Sequence, residues 1–151
     1  MLIDKGDIVL IADSDGIRDV YEAQGAEKLV DGTTPLTVLV NRGTASASEV
    51  LAGALKDNKR ARLVGENTFG KGLIQTLIEL SDGSAVAVTV AKYQTPGGVD
   101  INKVGIAPDV RIDADALNKI PLGGGAEFCK YISNSNSSSG GDGSPSPPAL
   151  F

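Results

Sequence analysis

No histidine occurs anywhere in the 151-residue chain. A Ser-His-Asp triad, a Cys-His dyad and a histidine-ligated zinc site are therefore excluded within it. Cysteine is nearly absent as well. Cys129, in EFCKYI, stands alone, so there is no internal disulfide framework, and this thiol reads as structural or incidental. No apolar run approaches the ~20 residues that span a bilayer. The opening MLIDKGDIVL carries acidic residues too early for a signal peptide. Positive charge is in deficit, with 14 Lys and Arg against 19 Asp and Glu. That argues against a general nucleic-acid binder, because phosphate contacts need clustered Lys and Arg. A hydrolase built from this chain and working at neutral pH must take its general base from Lys, Asp, Glu or Tyr.

What remains is enough for one domain with a core, since 41% of the residues are hydrophobic and 22% charged. DIVLIAD, residues 7–13, reads as a strand, followed by a turn at Ser14-Asp15-Gly16 and a hairpin partner at 18–23. LTVLVN, residues 36–41, is a nearly continuous apolar run that suits a buried strand. RGTA breaks that pattern, and a helix follows with Ser46 at its N-cap and Glu49 three residues on, a capping box. Val50, Leu51, Ala54 and Leu55 define its apolar face at helical spacing, and Asn58 with the charged KRAR segment ends it. ARLVG is the next strand, and LIQTLIEL and SAVAVTVAKYQT are two more, joined by a turn at Ser81-Asp82-Gly83. Strand, helix, strand over 36–64 is a βαβ unit, so the fold class is α/β, a mixed sheet with added β-hairpins. From Ser133 onward, SNSNSSSGGDGSPSPPALF has little to bury and reads as a disordered tail over 133–151.

GENTFGKGLIQ, residues 65–75, raises the functional question. Gly65, Gly70 and Lys71 have phosphate-loop spacing, but that loop needs Ser or Thr after the lysine and a helix beyond it. Here Gly72 and a strand pattern follow, and Glu66 would repel a phosphate. A plain glycine-supported turn is the other simple explanation.

NRGTASASE offers the complement. A serine at the start of a helix sits among free backbone N–H groups at the positive end of the helix dipole, which are the requirements of an oxyanion site. Ser46 and Ser48 are the candidate nucleophiles; an ordinary N-cap is the competing role for Ser46. With histidine missing, a lysine serves as base if its pKa falls from ~10.4 toward 7–8 by burial beside apolar groups. Phe69 is placed to supply that apolar wall, with Gly70 and Gly72 letting the backbone pack closely around Lys71.

In TASASEVLAGALKDNKRARLVGENTFGKGLIQ the chain resembles the carboxyl-terminal processing peptidases, or tail-specific proteases. The resemblance is firm over residues 36–110, closing with GIAPD, and extends to DKGDIVLIAD before them. It implies a partial catalytic domain over 1–132, the C-terminal part of a ClpP/crotonase-like peptidase core. By position, it makes Ser46 the nucleophile, Lys71 the general base, Gln75 the residue that orients the lysine, and the Ala47 backbone N–H an oxyanion donor. Asp57 matches an acidic position of the family, but about three helical turns separate it from Ser46, roughly 16 Å, so it is expected to anchor a loop. Ser48 points elsewhere and is expected to be structural. The implied activity is serine-type cleavage near the carboxyl terminus of protein substrates with apolar or unfolded ends, without metal or organic cofactor. The implied compartment is the chloroplast thylakoid lumen or the bacterial periplasm.

Members of the family also carry a PDZ domain and an upstream glycine-rich segment that supplies the second oxyanion donor. The chain starts downstream of both. A fragment is therefore expected, with edge strands and apolar surface exposed and activity on its own reduced. A catalytically silent binding or scaffold piece is the alternative function; nucleotide binding is the third. Tyr21, Tyr93 and Tyr131 are read as packing residues, and Asp100 and Asp109 as parts of a connecting loop over 95–109 rather than a metal site.

Overall fold

The computed structural model describes residues 2–25, 30–112, 125–126 and 129–130. The expected tail at 133–151 and Tyr131 lie outside those residues. Within residues 2–112 the elements follow in the order β1 (Asp7–Asp13), β2 (Gly16–Glu22), β3 (Thr37–Val40), α1 (Ala47–Asp57), β4 (Arg62–Gly65), β5 (Leu73–Glu79), β6 (Ala85–Gln94) and β7 (Val110–Arg111).

The α/β class, the βαβ unit and the two hairpins are all present, and the two kinds of pairing are sorted into separate sheets. One sheet is antiparallel, in the order β2-β1-β6-β5. The other is parallel, in the order β3-β4-β7. Strand β7 follows directly on segment 95–109, the expected connecting loop. Val110 and Arg111 pair with Val64 and Gly65, and Asp109 fixes that register: its N–H donates to the Leu63 carbonyl and its carboxylate accepts the Leu63 N–H. Two residues are too short for any periodicity to announce a strand.

Helix α1 buries a different stripe from the one its apolar spacing suggested. Ala54 and Leu55 are fully inside, but Leu51 is 50% exposed and Val50 lies only partly covered. Their places on the buried side are taken by Glu49, Ala52 and Gly53. The physical reason is close approach. A Cβ on Gly53 would lie 3.0 Å from the Thr95 side chain and 3.1 Å from that of Ile106, so the helix presents its small residues to the loop after β6. One core cluster joins Val40, Ala52, Leu63, Ile101 and Ile106. A second joins Ile3, Ala54 and Leu55, flanked by Ile8, Leu36 and Val38. Full burial of side chains such as Leu55 and Leu63 contributes about 2 kcal/mol each.

The β5–β6 hairpin projects from this core. Its turn is held by Asp82, whose carboxylate accepts the Ser84 N–H (3.0 Å) and hydroxyl (2.6 Å). Along it Leu77, Ile78, Val86, Val88 and Val90 are all exposed, as is the whole of β2. The expected exposure of edge strands and apolar surface is thus observed.

Candidate active site

Strand β3 delivers the chain to α1 through a tight turn. The Thr44 N–H donates to the Asn41 carbonyl (2.9 Å), the Gly43 N–H to Asn41 Oδ1 (2.9 Å), and the Asn41 N–H to Thr44 Oγ1 (3.1 Å). Ser46 follows as the N-cap with φ 56° and ψ −120°, in a region that side-chain-bearing residues rarely occupy and an N-cap normally avoids. Such an outlier persists only where the surroundings impose it, and it marks functional turns. Ala47, the first helical residue, has its N–H among the donors that a helix start leaves without an intrahelical partner.

Glu49 imposes that geometry. Its carboxylate is 0% exposed, yet four donors surround it. Thr68 Oγ1 (2.5 Å) and the Gly70 N–H (2.6 Å) donate to Oε1, while the N–H groups of Ser46 (2.9 Å) and Lys71 (2.9 Å) donate to Oε2. A buried carboxylate is tolerated only when its lone pairs are met in this way. The capping box read from sequence is present, but its glutamate does far more than cap. It ties the serine turn to the lysine loop, a role missed because capping boxes are local and this contact spans two elements. The available signal was a second polar group, Thr68, just before FGKG.

Thr68 extends the tie, since its hydroxyl accepts the Ile106 N–H at 2.7 Å. The Phe69 N–H donates to the Thr44 carbonyl (2.9 Å), and the Lys103 N–H to the Gly70 carbonyl (2.8 Å). Glycine is required at two places in this loop. Gly70 has φ 88°, and a Cβ on Gly72 would sit 2.5 Å from the Asn102 backbone nitrogen. The close backbone packing expected around Lys71 is therefore real, and segment 101–105 is what it packs on.

Burial of the lysine is not. Lys71 is exposed, and Phe69, assigned above to wall it off, is 65% exposed. Thr68 takes the inward position because its hydroxyl bonds Glu49 and Ile106, which leaves its neighbour facing out. Gln75 lies on β5, exposed, and its amide donates to Thr89 Oγ1 across the hairpin (3.3 Å) rather than to the lysine. Ser48 is exposed in the first helical turn. Asp57 does anchor a loop: its Oδ2 accepts the Gly97 N–H at 2.8 Å, in the turn after β6. Asp109 binds the Leu63 N–H (2.8 Å) and pairs with Lys56 (3.2 Å), and Asp100 pairs with Lys92 (3.2 Å). These two acids serve different elements, and the described residues contain no cluster of three metal-ligating side chains.

The nucleotide reading fails on this geometry. The Gly70 and Lys71 N–H groups that would cradle a phosphate are already occupied by a carboxylate, and strand β5 follows where a helix would be needed.

The site is thus a constrained serine at a helix start, fastened by Glu49 to a glycine-flanked lysine loop in an α/β frame. Residues 1–112 match the family described as Peptidase family S41, and the chain belongs to that family. It is 70% identical over 117 residues to the chloroplastic C-terminal processing peptidase of Tetradesmus obliquus, covering 78% of this chain and 25% of that one. It is 62% identical over 107 residues to the chloroplastic carboxyl-terminal-processing peptidase 2 of Arabidopsis thaliana, covering 71% and 21%. The solved photosystem II D1 C-terminal processing protease superposes with a TM-score of 0.70 at 72% identity, over 75% of this chain and 29% of that structure. The chain thus spans about a quarter of the length of the relatives it matches.

Proposed function

We propose that the chain carries the nucleophile and base of a serine-type endopeptidase that trims the carboxyl terminus of protein substrates. The observation that carries this reading is the shared Glu49 carboxylate, which fixes the Ser46 and Lys71 backbones to one oxygen. Neutral Lys71 takes the proton of the Ser46 hydroxyl as Oγ bonds to the scissile carbonyl carbon. The charge passes to the carbonyl oxygen, where the Ala47 N–H donates. Lys71 then returns the proton to the leaving amine as the C–N bond breaks. Water repeats the sequence to release the acyl group. Gln75 orients the lysine in this scheme once its amide leaves Thr89. The substrates are proteins with apolar or unfolded carboxyl ends, and no cofactor takes part. The names of the Tetradesmus and Arabidopsis relatives support a chloroplast setting, and that of the D1-processing structure supports a photosystem II substrate; the thylakoid lumen is the compartment this reading implies.

The exposure of Lys71 favours a second reading, a fold that binds without cutting. The deciding experiment is cleavage of an unfolded protein with an apolar carboxyl end. It compares this chain, its Lys71→Ala variant, and a form extended upstream with the PDZ and glycine-rich segments of a relative. Lys71-dependent cutting by the extended form supports the peptidase. A well-folded extended form that never cuts supports the binding module.

A further inference from the structure

The antiparallel sheet ends in two edges that are treated very differently. At β2 the edge is blunted: Arg18, Asp19 and Glu22 line the strand, Arg18 pairs with Asp19 (3.7 Å), and the β1–β2 register slips twice. Such charges and bulges discourage further strand pairing. At β5 the pairing with β6 slips once, between Ile74 and Gln75, but the strand lacks the charges that line β2. LIQTLIE has one charge, at its far end, and no proline or lysine. Leu77 and Ile78 are 71% and 50% exposed, and among the described residues β5 pairs only with β6. A long, apolar, unprotected edge is a template for another extended chain.

The position of that edge indicates what it receives. Strand β5 starts two residues beyond Lys71, and the joint is rigid. The Gly72 carbonyl accepts the Tyr93 N–H (2.7 Å), and Gly72 packs so closely on Asn102 that an added Cβ would lie 2.5 Å from its backbone nitrogen. The open edge is thereby held in fixed register with Lys71 and, through Glu49, with Ser46. The other strand end near the serine, β3, offers only four residues, too few to fix a register.

We infer that β5 is the docking edge for the substrate, an extended polypeptide that adds to it as a further strand and is carried past Ser46 by that pairing. Backbone bonds supply affinity, which leaves substrate side chains weakly specified, and the scissile position is set by strand register counted from Gln75, where the regular pairing with β6 begins. The inference rests on the peptidase reading for its occupant and is tested by binding, so that the two fail separately.

The test uses the full chain with Ser46→Ala and a short unstructured peptide ending in apolar residues, followed by amide hydrogen exchange. Alternate amides of residues 75–79, beyond the slip at Ile74 and Gln75, should gain about tenfold protection or more. N-methylation of alternate peptide residues should weaken binding by about tenfold, and methylation of the intervening ones by less than about twofold. Protection at β2 or β3 instead, or methylation effects without a period of two, overturns the proposal. Protection of β5 that grows with protein concentration without peptide also overturns it, in favour of a second copy. If β5 is protected as expected but the wild-type form extended with a relative's upstream segments does not cut, the peptidase reading falls and edge docking stands. Cutting by that form without β5 protection does the reverse.

Discussion

The backbone N–H groups of Ser46 and Lys71 converge on one atom, Glu49 Oε2, each at 2.9 Å. This carboxylate fixes the spacing between candidate nucleophile and base without touching a substrate. Glu49→Ala leaves four donors facing a void and should destabilise the fold by about 3 kcal/mol or more. Glu49→Gln keeps the volume but turns an amide NH2 toward N–H donors, so about 2 kcal/mol is expected. Denaturant unfolding measures both. Where the glutamine variant stays folded, cleavage by an extended active form should fall in kcat while KM holds. A variant that loses only stability, with kcat intact, would show that Glu49 is a fold residue alone.

Gly72 gives a sharper structural test. A methyl group there would meet the Asn102 backbone nitrogen at 2.5 Å, and backbone cannot swing aside as a long side chain does. Gly72→Ala should cost about 2 kcal/mol or more and shift the Lys71 loop. Gly83→Ala, at the hairpin tip with φ 84° and open space around it, should cost only about 1 kcal/mol. Equal costs in thermal unfolding would contradict the packing described for the GKG loop.

These contacts show what the sequence makes legible. Strand and helix positions followed from periodicity and turn residues, but LTVLVN, expected to be a buried strand, is half exposed, with Leu39 59% exposed, because β3 lies at the edge of the parallel sheet among the described residues. The helix N-cap at Ser46 and its end at Asn58 were equally local. What stayed hidden was tertiary. Glu49 looked like a cap because its partners Thr68, Gly70 and Lys71 lie on another element. Leu51 looked buried because its spacing fits, yet Gly53 and Ala52 are the residues small enough for the contact that forms. Phe69 looked like a lysine wall because burial of an aromatic ring is the usual outcome, whereas here Thr68 has two hydrogen bonds to make inside.

The tip of the β5–β6 hairpin is sensitive to acid. Hydrogen bonds from the Ser84 hydroxyl and N–H hold the Asp82 carboxyl below its ordinary value of 3.8. A carboxylate with a depressed folded pKa contributes stability that is present above the unfolded value and lost as pH falls through the folded one. The Ser84 amide should therefore exchange faster as pH drops below about 4 than intrinsic exchange rates account for, and Asp82→Asn should remove that pH dependence. Exchange at Ser84 that follows the intrinsic rate throughout would mean the turn forms without the carboxylate.

The two acids at the helix's far end separate by what they hold. Asp109 accepts the Leu63 N–H at a fully buried strand residue and pairs with Lys56, so Asp109→Ala should cost about 2 kcal/mol and loosen β7 from β4. Among the described residues, Asp57 holds the Gly97 N–H of a partly exposed turn, so Asp57→Ala should cost about 1 kcal/mol. Chemical denaturation of the two variants ranks them; the reverse order would place the fold's tie at the turn after β6.

The backbone at Ser46 carries a testable conflict between stability and activity. Its φ of 56° with ψ −120° is accessible to glycine and strained for serine. At the other end of the same helix Lys59 has φ 55° just beyond the C-cap Asn58, where the Arg60 N–H closes back on the Leu55 carbonyl at 2.8 Å, a helix end that ordinarily prefers glycine. Both Ser46→Gly and Lys59→Gly should therefore stabilise the chain, by about 1 kcal/mol each. Their effects on cleavage should part completely. Lys59→Gly lies at the other end of the helix from Ser46 and should leave the rate of an extended active form unchanged, whereas Ser46→Gly should abolish it by removing the proposed nucleophile. Ser46→Ala should also abolish cutting but keep the strain and gain no stability. Should Ser46→Gly prove no more stable than Ser46→Ala, the serine turn is not strained, and its conformation says nothing about function.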